Sequence, residues 1–390
     1  MIGAGLAGLR TVERLRHRGY RGRVVLLGAE RHLPYDRPPL SKQVLRGELG
    51  DPWLRQAADY AALNVDIRLS YHVRELDTER RLIRSKDAEL PYDVLVIATG
   101  ASPRRLPGLN GLVLRTLDDA RDLRGLLRPG TRLAVVGAGL IGCEVAASAR
   151  SMDNVEVDLV DVLAGPLVRV VGVGVCELVA DLHREHGVRL HMGTAATRVG
   201  PGAEAGGGDG PGAGQLALAD GTVLTADVVL EAIGAVPETG WLEGSQLALS
   251  DGVVCDATGR AADDVYAVGD VARWDGRRSE HWTNAGAQAD RVAAGILGQE
   301  QPPPEIAYWW SDQYDIKRQG LGAPGPDDDV HLITWGPKAR TVALYASDGR
   351  LTGAVGFSAA AAVMRLRADI KAGTPVREVL DRLTTSRPNG

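Results

Sequence analysis

The sequence predicts an α/β protein: two Rossmann-like dinucleotide-binding domains followed by a small C-terminal α+β domain. Three observations predict it. Two glycine-rich GxGxxG turns, one at the start of the chain and one near its middle, each open a helix. Apolar runs that read as buried parallel strands recur around them and end at glycine turns. Beyond Gln301-Pro302-Pro303-Pro304 the composition shifts toward tryptophan and strand-like runs, which marks a domain boundary.

The elements follow in order. Ile2-Gly3-Ala4-Gly5-Leu6-Ala7-Gly8 leads into a helix with Leu9, Val12 and Leu15 on one face. Arg10, Arg14, Arg16, Arg18, Arg21 and Arg23 read as its solvated side, or as part of a docking patch for an acidic partner. The run Val24-Val25-Leu26-Leu27 ends near Glu30. Arg132 to Val136 is a second buried strand, Gly137-Ala138-Gly139-Leu140-Ile141-Gly142 its turn, and Cys143 to Arg150 its helix. The strand Val155 to Val160 then ends at Asp161. Further strands end at Ala98-Thr99-Gly100, at Ile233-Gly234 and at Val268-Gly269-Asp270. The Gly- and Ala-rich segment from Gly200 to Gly214 cannot bury apolar surface and reads as a mobile hairpin loop. A helix is expected at 285–297 with Thr283 and Asn284 as N-caps. Strand-like runs near 328–335 and 341–357 and a helix near 358–372 complete the C-terminal domain, where Trp309 and Trp310 read as core or interface aromatics.

Composition narrows the function. With 390 residues, 44% of them hydrophobic, the chain can bury a sizeable core, which excludes a disordered or fibrous protein. A net charge of −5 disfavours general nucleic-acid binding. Cys143, Cys176 and Cys255 are too far apart for a CxxC or zinc pattern, so a reducing, cytoplasmic location is expected. No apolar run reaches the roughly 18 charge-free residues of a membrane span, and no basic segment suggests a signal peptide. His183, His186 and His191 lie near one another, but nothing completes a metal site; they read as surface histidines.

A lone GxGxxG is weak evidence; two complete units are strong. Gly3, Gly5 and Gly8 are followed by Glu30, and Gly137, Gly139 and Gly142 by Asp161. The first glycine makes the turn, the second lets backbone approach a pyrophosphate, and the third lets helix and strand pack. The acid accepts hydrogen bonds from a ribose diol. Asp161 would repel a 2′-phosphate, and Val162, Leu163 and Ala164 offer no compensating cation, so if this unit is the one that holds the nicotinamide, NADH is preferred over NADPH. Two dinucleotides in one chain point to hydride exchange between a nicotinamide and a flavin.

Further segments carry a resemblance. They are Tyr35-Asp36-Arg37-Pro38-Pro39-Leu40-Ser41-Lys42, Tyr92-Asp93 before Ala98-Thr99-Gly100, Arg115 to Ala120, Ala267-Val268-Gly269-Asp270, Glu280-His281-Trp282-Thr283-Asn284 and Trp310-Ser311-Asp312-Gln313-Tyr314-Asp315. With them the chain resembles, over nearly its whole length, the FAD-dependent pyridine nucleotide–disulfide reductase superfamily. Within it, the chain is similar to the ferredoxin/rubredoxin reductase branch that serves oxygenase and cytochrome P450 systems. The resemblance implies three-layer ββα dinucleotide domains. FAD would be bound by 1–112 and 243–304, NAD by 113–242, and 305–390 would form the C-terminal interface domain. It implies that FAD contacts Gly3, Gly5, Ala7, Gly8, Glu30, Arg37, Lys42, Val73, Ala98, Thr99, Gly100, Arg115, Gly269, Asp270, His281, Trp282 and Thr283. NAD(H) would contact Gly137, Gly139, Leu140, Ile141, Gly142, Glu144, Asp161, Arg169, Ile233 and Gly234. In relatives the residues matching Lys42 and Glu144 form an ion pair near flavin N5, where hydride arrives.

No cysteine stands between Tyr35 and Lys42, where disulfide reductases of the superfamily keep theirs, so a thiol relay is not expected. Electrons should pass to a 2Fe–2S ferredoxin or a rubredoxin. The alternatives are an NADH oxidase or quinone-type reductase without a protein partner, and a flavin-poor regulatory homologue. Two departures stand out. Only Met1 and Ile2 precede the first turn, where a strand of about five residues is expected, which suggests a start upstream or a trimmed sequence. Glu231 and Glu238 replace smaller or neutral residues near the expected nicotinamide pocket.

Overall fold

The computed structural model describes residues 1–200, 214–325, 327–335 and 340–385. They form two compact units. The first comprises Met1–Asp36, Asp51–Ser102 and Ala235–Glu305; the second comprises Arg37–Gly50, Pro103–Gly234 and Ile306–Gly390.

In the first unit Val24–Leu27 pairs in parallel with Val65–Arg68, and Leu95–Ile97 with Val265–Ala267. Ile2 bridges the two pairs, lying parallel to both Leu27 and Ile97 at the centre of the sheet. The helix Leu6–His17 buries Leu9, Val12 and Leu15 and packs with the helix Trp282–Ile296. On the other face the antiparallel strands Val73–Asp77, Leu82–Ser85 and Glu89–Pro91 contribute Leu76 and Ile83 to the core around Leu27, Ile97 and Val265. A sheet covered on both faces must be apolar on both faces, which is why its strands read as continuous apolar runs. The long helix begins at Trp282 with His281 as N-cap, so Thr283 and Asn284 lie inside its first turn rather than capping it.

The second unit repeats this layering. Its parallel sheet runs Arg189–Met192, Glu156–Asp161, Arg132–Val136, Val228–Glu231. The antiparallel strands Ala196–Gly200, Gly214–Leu218 and Val223–Ala226 put Leu216, Leu218 and Ala226 against Ala134, Val136 and Val160. The expected loop between Gly200 and Gly214 spans 201–213, outside the described residues. The C-terminal part is a five-stranded antiparallel sheet in the order Tyr308–Gln313, Ile316–Gly322, Arg350–Phe357, Arg340–Ser347, Asp329–Trp335. The run expected at 341–357 is thus two strands, turned at Asp348 and Gly349 with φ of +49° and +70°. Asp-Gly at positive φ is the favoured two-residue hairpin turn. The expected helix near 358–372 is two short helices, Ala360–Arg365 and Arg367–Ala372, followed by a third, Val376–Thr385. Among the described residues no helix is long and apolar enough to cross a membrane.

Candidate active site

The two glycine turns are built alike. Gly3 adopts φ +108°, and a Cβ there would collide with the Ala98 carbonyl oxygen; a Cβ on Gly8 would strike the Gly3 carbonyl. At Gly5 a Cβ would meet nothing within 4 Å. In the second unit Gly137 adopts φ +107° against the Ala232 carbonyl, Gly142 packs on the Gly137 carbonyl, and a Cβ on Gly139 would again meet nothing within 4 Å. The outer glycines are therefore demanded by packing, whereas the middle one faces open space. Gly5 and Gly139 are the N-caps of their helices, with no side-chain cap and no acidic residue in the first turn. First-turn N–H groups without a side-chain cap, at a positive helix end, are the arrangement that suits an anion such as a pyrophosphate.

Each turn has its carboxylate. In the first unit the Tyr35 hydroxyl donates to Glu30 Oε2 at 2.6 Å. In the second, Asp161 Oδ2 accepts the Ala138 N–H at 2.6 Å and Oδ1 the Leu163 N–H at 2.9 Å. With one such bond on each Asp161 oxygen among the described residues, lone pairs remain for a ribose diol. Val162 beside it is 59% exposed. Leu140 is half-buried and Ile141 exposed on the turn, and Arg169 is exposed on the short helix Val168–Val171. Ile233 packs against the sheet core, and Gly234 turns at φ +99°.

Around the first turn, Ala98 donates its N–H to the Ile2 carbonyl, Thr99 Oγ1 donates to the Glu238 carbonyl at 2.9 Å, and Gly100 turns at φ +75°. Val73 opens its strand. Gly269, at φ +78°, packs against Ala7 and gives its N–H to the buried Gln288 Oε1 at 2.8 Å, which fixes the turn carrying Asp270. Trp282 Nε1 donates to Asp36 Oδ1 at 2.7 Å, and Arg10 lies 5.8 Å over its ring. Burial lowers the pKa of His281, so its imidazole is neutral at pH 7. Thr283 lies in the first turn of the same helix. Arg37, Lys42 and Arg115 belong to the second unit, where Arg37 Nη1 donates to the Arg115 carbonyl at 2.7 Å.

The second unit also holds a buried ion pair. Lys42 Nζ lies 2.6 Å from Glu144 Oε2, with side chains only 5% and 7% exposed. Lys42 also donates to the Pro38 carbonyl at 3.0 Å. Ser41 Oγ donates to Glu144 Oε2 at 2.5 Å and Ser311 Oγ to Oε1 at 2.7 Å, while Gln313 Nε2 donates to Ser311 Oγ at 3.1 Å. Ser148 Oγ donates to the Ser41 carbonyl at 2.7 Å, tying the Lys42 segment to the Glu144 helix. A buried pair persists only when its remaining hydrogen-bonding capacity is met, and here three donors converge on one carboxylate. Ser41 and Ser311 sit inside the sequence segments quoted above, but nothing in their type distinguishes them from turn serines. Gln288 carries no sequence signal at all.

Three expectations are corrected. Glu231 does not line an open pocket: its fully buried carboxylate accepts the N–H groups of Leu106 at 2.6 Å and Gly111 at 2.9 Å, pinning that loop. Glu238 accepts from the Ser102 hydroxyl. His183 is not a surface residue; it is 0% exposed and pairs through Nδ1 with the Tyr314 hydroxyl, while His186 stacks on the Tyr314 ring and His191 meets Asp158. The arginines of the first helix are only partly a solvated face. Arg16 donates to the carbonyls of Tyr20, Gly22, Leu63 and Asn64, and Arg18 pairs with Asp290. Trp309 is core and Trp310 half-buried, on alternate faces of their strand.

Comparison with known proteins matches residues 1–289 to the pyridine nucleotide-disulphide oxidoreductase family and residues 308–382 to the reductase C-terminal domain. The chain is 40% identical over 348 residues to the ferredoxin–NAD(+) reductase component of the biphenyl dioxygenase system of Paraburkholderia xenovorans (strain LB400), covering 85% of this chain and 82% of that one. It is 37% identical to the ferredoxin reductase component of chlorobenzene dioxygenase from Cupriavidus sp. (strain PS12), covering 95% and 93%. Among solved structures it is similar to the covalent putidaredoxin reductase–putidaredoxin complex, with a TM-score of 0.89, 31% identity, and coverage of 96% and 93%. The twin glycine cradles, their acids and the C-terminal sheet thus place the chain in the pyridine nucleotide-disulphide oxidoreductase family, to which it belongs.

Proposed function

We propose that the protein is an NADH-dependent flavoprotein reductase that passes single electrons to a 2Fe–2S ferredoxin or rubredoxin of an oxygenase system. The observation that carries this reading is the pair of open glycine cradles, one in each unit, each with its own carboxylate. Bound FAD supplies the conversion of one hydride into two single electrons. On this reading 1–112 and 243–304 would bind FAD, although 37–50 and 103–112 fall in the second compact unit; 113–242 would bind NADH, and 305–390, whose residues from 306 on fall in that same unit, would form the interface domain.

The chain's own groups have distinct tasks. Gly5 and Gly139 admit a pyrophosphate to a helix N-terminus. Asp161 orients the NADH ribose and rejects a 2′-phosphate. Lys42 and Glu144 are electrostatic and positional groups for flavin reduction; Ser41 and Ser311 hold Glu144 toward Lys42. All three cysteines are buried thiols, and burial raises their pKa values, so they stay protonated at neutral pH. That supports direct electron exit without a thiol relay. The protein is expected to work in the reducing cytoplasm.

Stopped-flow reduction of the flavin by NADH in Lys42→Met tests the proposed role of the pair. Slower reduction with unchanged flavin content supports it; a wild-type rate refutes it.

A further inference from the structure

We propose that a small monovalent anion of the halide class binds at the guanidinium of Arg318, inside the second unit. Arg318 lies on the strand Ile316–Gly322, directly across from Ser311 on one side and Phe357 on the other. Among the described residues it is the largest fully buried side chain, at 0% exposure. Its Nε, Nη1 and Nη2 find no acceptor among the described residues. The guanidinium lies 5.5 Å from the centre of the Phe357 ring, which offers a polarisable face but no countercharge.

Charge bookkeeping sharpens the point. Arg318 lies within electrostatic reach of Glu144. Both oxygens of that carboxylate are engaged, one by Lys42 and Ser41 and the other by Ser311. Lys42 and Glu144 cancel, so Arg318 leaves one positive charge uncompensated in a low-dielectric interior. Its pKa is pushed down by burial only to about 10, so it remains a cation at neutral pH. His183, also buried and in the field of Arg318, meets Tyr314 through Nδ1 and has the Gln313 side chain within hydrogen-bonding reach. Water would satisfy the Arg318 N–H groups but not the charge; an anion satisfies both. An isolated buried cation is among the costliest arrangements in a protein.

Two measurements test this on the full-length holoprotein. The first is thermal denaturation of wild type and Arg318→Leu in sodium bromide and in sodium gluconate at equal ionic strength, gluconate being too large for a buried site. Because the two salts differ in their general effect on folded proteins, the readout is the bromide-minus-gluconate shift: it should be more positive for wild type than for Arg318→Leu by several degrees, the gap growing with bromide concentration as a bound ligand requires. The second needs no variant: crystals grown in bromide should show an anomalous peak within hydrogen-bond distance of the Arg318 guanidinium. The same bromide-minus-gluconate shift in wild type and Arg318→Leu, or water density alone at Arg318, would each overturn the proposal.

Discussion

Removing one partner of the Lys42–Glu144 pair should cost far more than removing a surface ion pair. With both side chains at least nine-tenths buried and 2.6 Å apart, Glu144→Gln leaves Lys42 charged in the interior. Breaking a buried pair on one side costs about 3–5 kcal/mol, against about 0–1 kcal/mol for an exposed pair. Lys42 keeps the Pro38 carbonyl at 3.0 Å and a long contact to Ser41 Oγ at 3.5 Å, which places the cost near the lower end. The new amide itself adds little, because it can keep its oxygen toward Lys42 and donate its NH2 to the Ser311 hydroxyl, which turns to accept. Lys42→Met should cost a similar amount by stranding the carboxylate. The double variant Lys42→Met/Glu144→Leu removes both charges at roughly matched volume. It should cost less than the sum of the singles by about 2–3 kcal/mol. The assay is urea denaturation of all four proteins, followed by tryptophan fluorescence, which reports on the second unit through Trp309 and Trp310. Each single costing under about 1 kcal/mol, with additive effects, would show that the pair behaves as a solvated one and refute the reasoning.

Three further outcomes follow. Gly139→Val should weaken NADH binding with little loss of thermal stability, because its side chain enters open space, whereas Gly137→Val should lower stability first, through its positive φ and the Ala232 carbonyl; titration with NADH beside melting curves separates the two. Asp161→Asn should raise kcat/KM for NADPH relative to NADH by roughly tenfold or more, since juxtaposed like charges cost several kcal/mol; an unchanged ratio in steady-state kinetics contradicts this role. His183 is pushed down from 6.5 to about 4, by burial first and by the charge of Arg318 second. A pKa lowered on folding makes its contribution complete above about 6.5 and lost as pH falls toward 4, a total of about 3 kcal/mol. His183→Gln should therefore lose less stability than wild type between pH 7.5 and 4.5 in denaturation midpoints.

The layers of both units were legible because parallel strands covered on both faces leave unbroken apolar runs, as at Val24–Leu27 and Arg132–Val136. The glycine turns were legible because their geometry admits few residues: Gly3 and Gly137 sit at φ that side chains avoid. The C-terminal helices were less so. Gly373, in a left-handed conformation, ends the second helix and permits a third that alternation in the preceding strands does not announce. Long-range polar contacts were not legible at all. Ser311 reaches Glu144 across 167 positions and Glu231 reaches Leu106 across 125, so neither partner carries a local signature. His183 looked like a surface residue because its neighbours are polar; Tyr314, 131 positions away, is what receives it.

The central claim, an NADH-driven flavoprotein that delivers electrons to an iron–sulfur protein, is tested most directly by NADH-driven cytochrome c reduction with and without an added 2Fe–2S ferredoxin or rubredoxin, across a salt series. The account predicts that an iron–sulfur partner raises the rate strongly and that this gain falls as ionic strength rises, as expected for a charge-steered transient encounter. No gain with any ferredoxin or rubredoxin, together with full turnover on oxygen or a quinone, would contradict it.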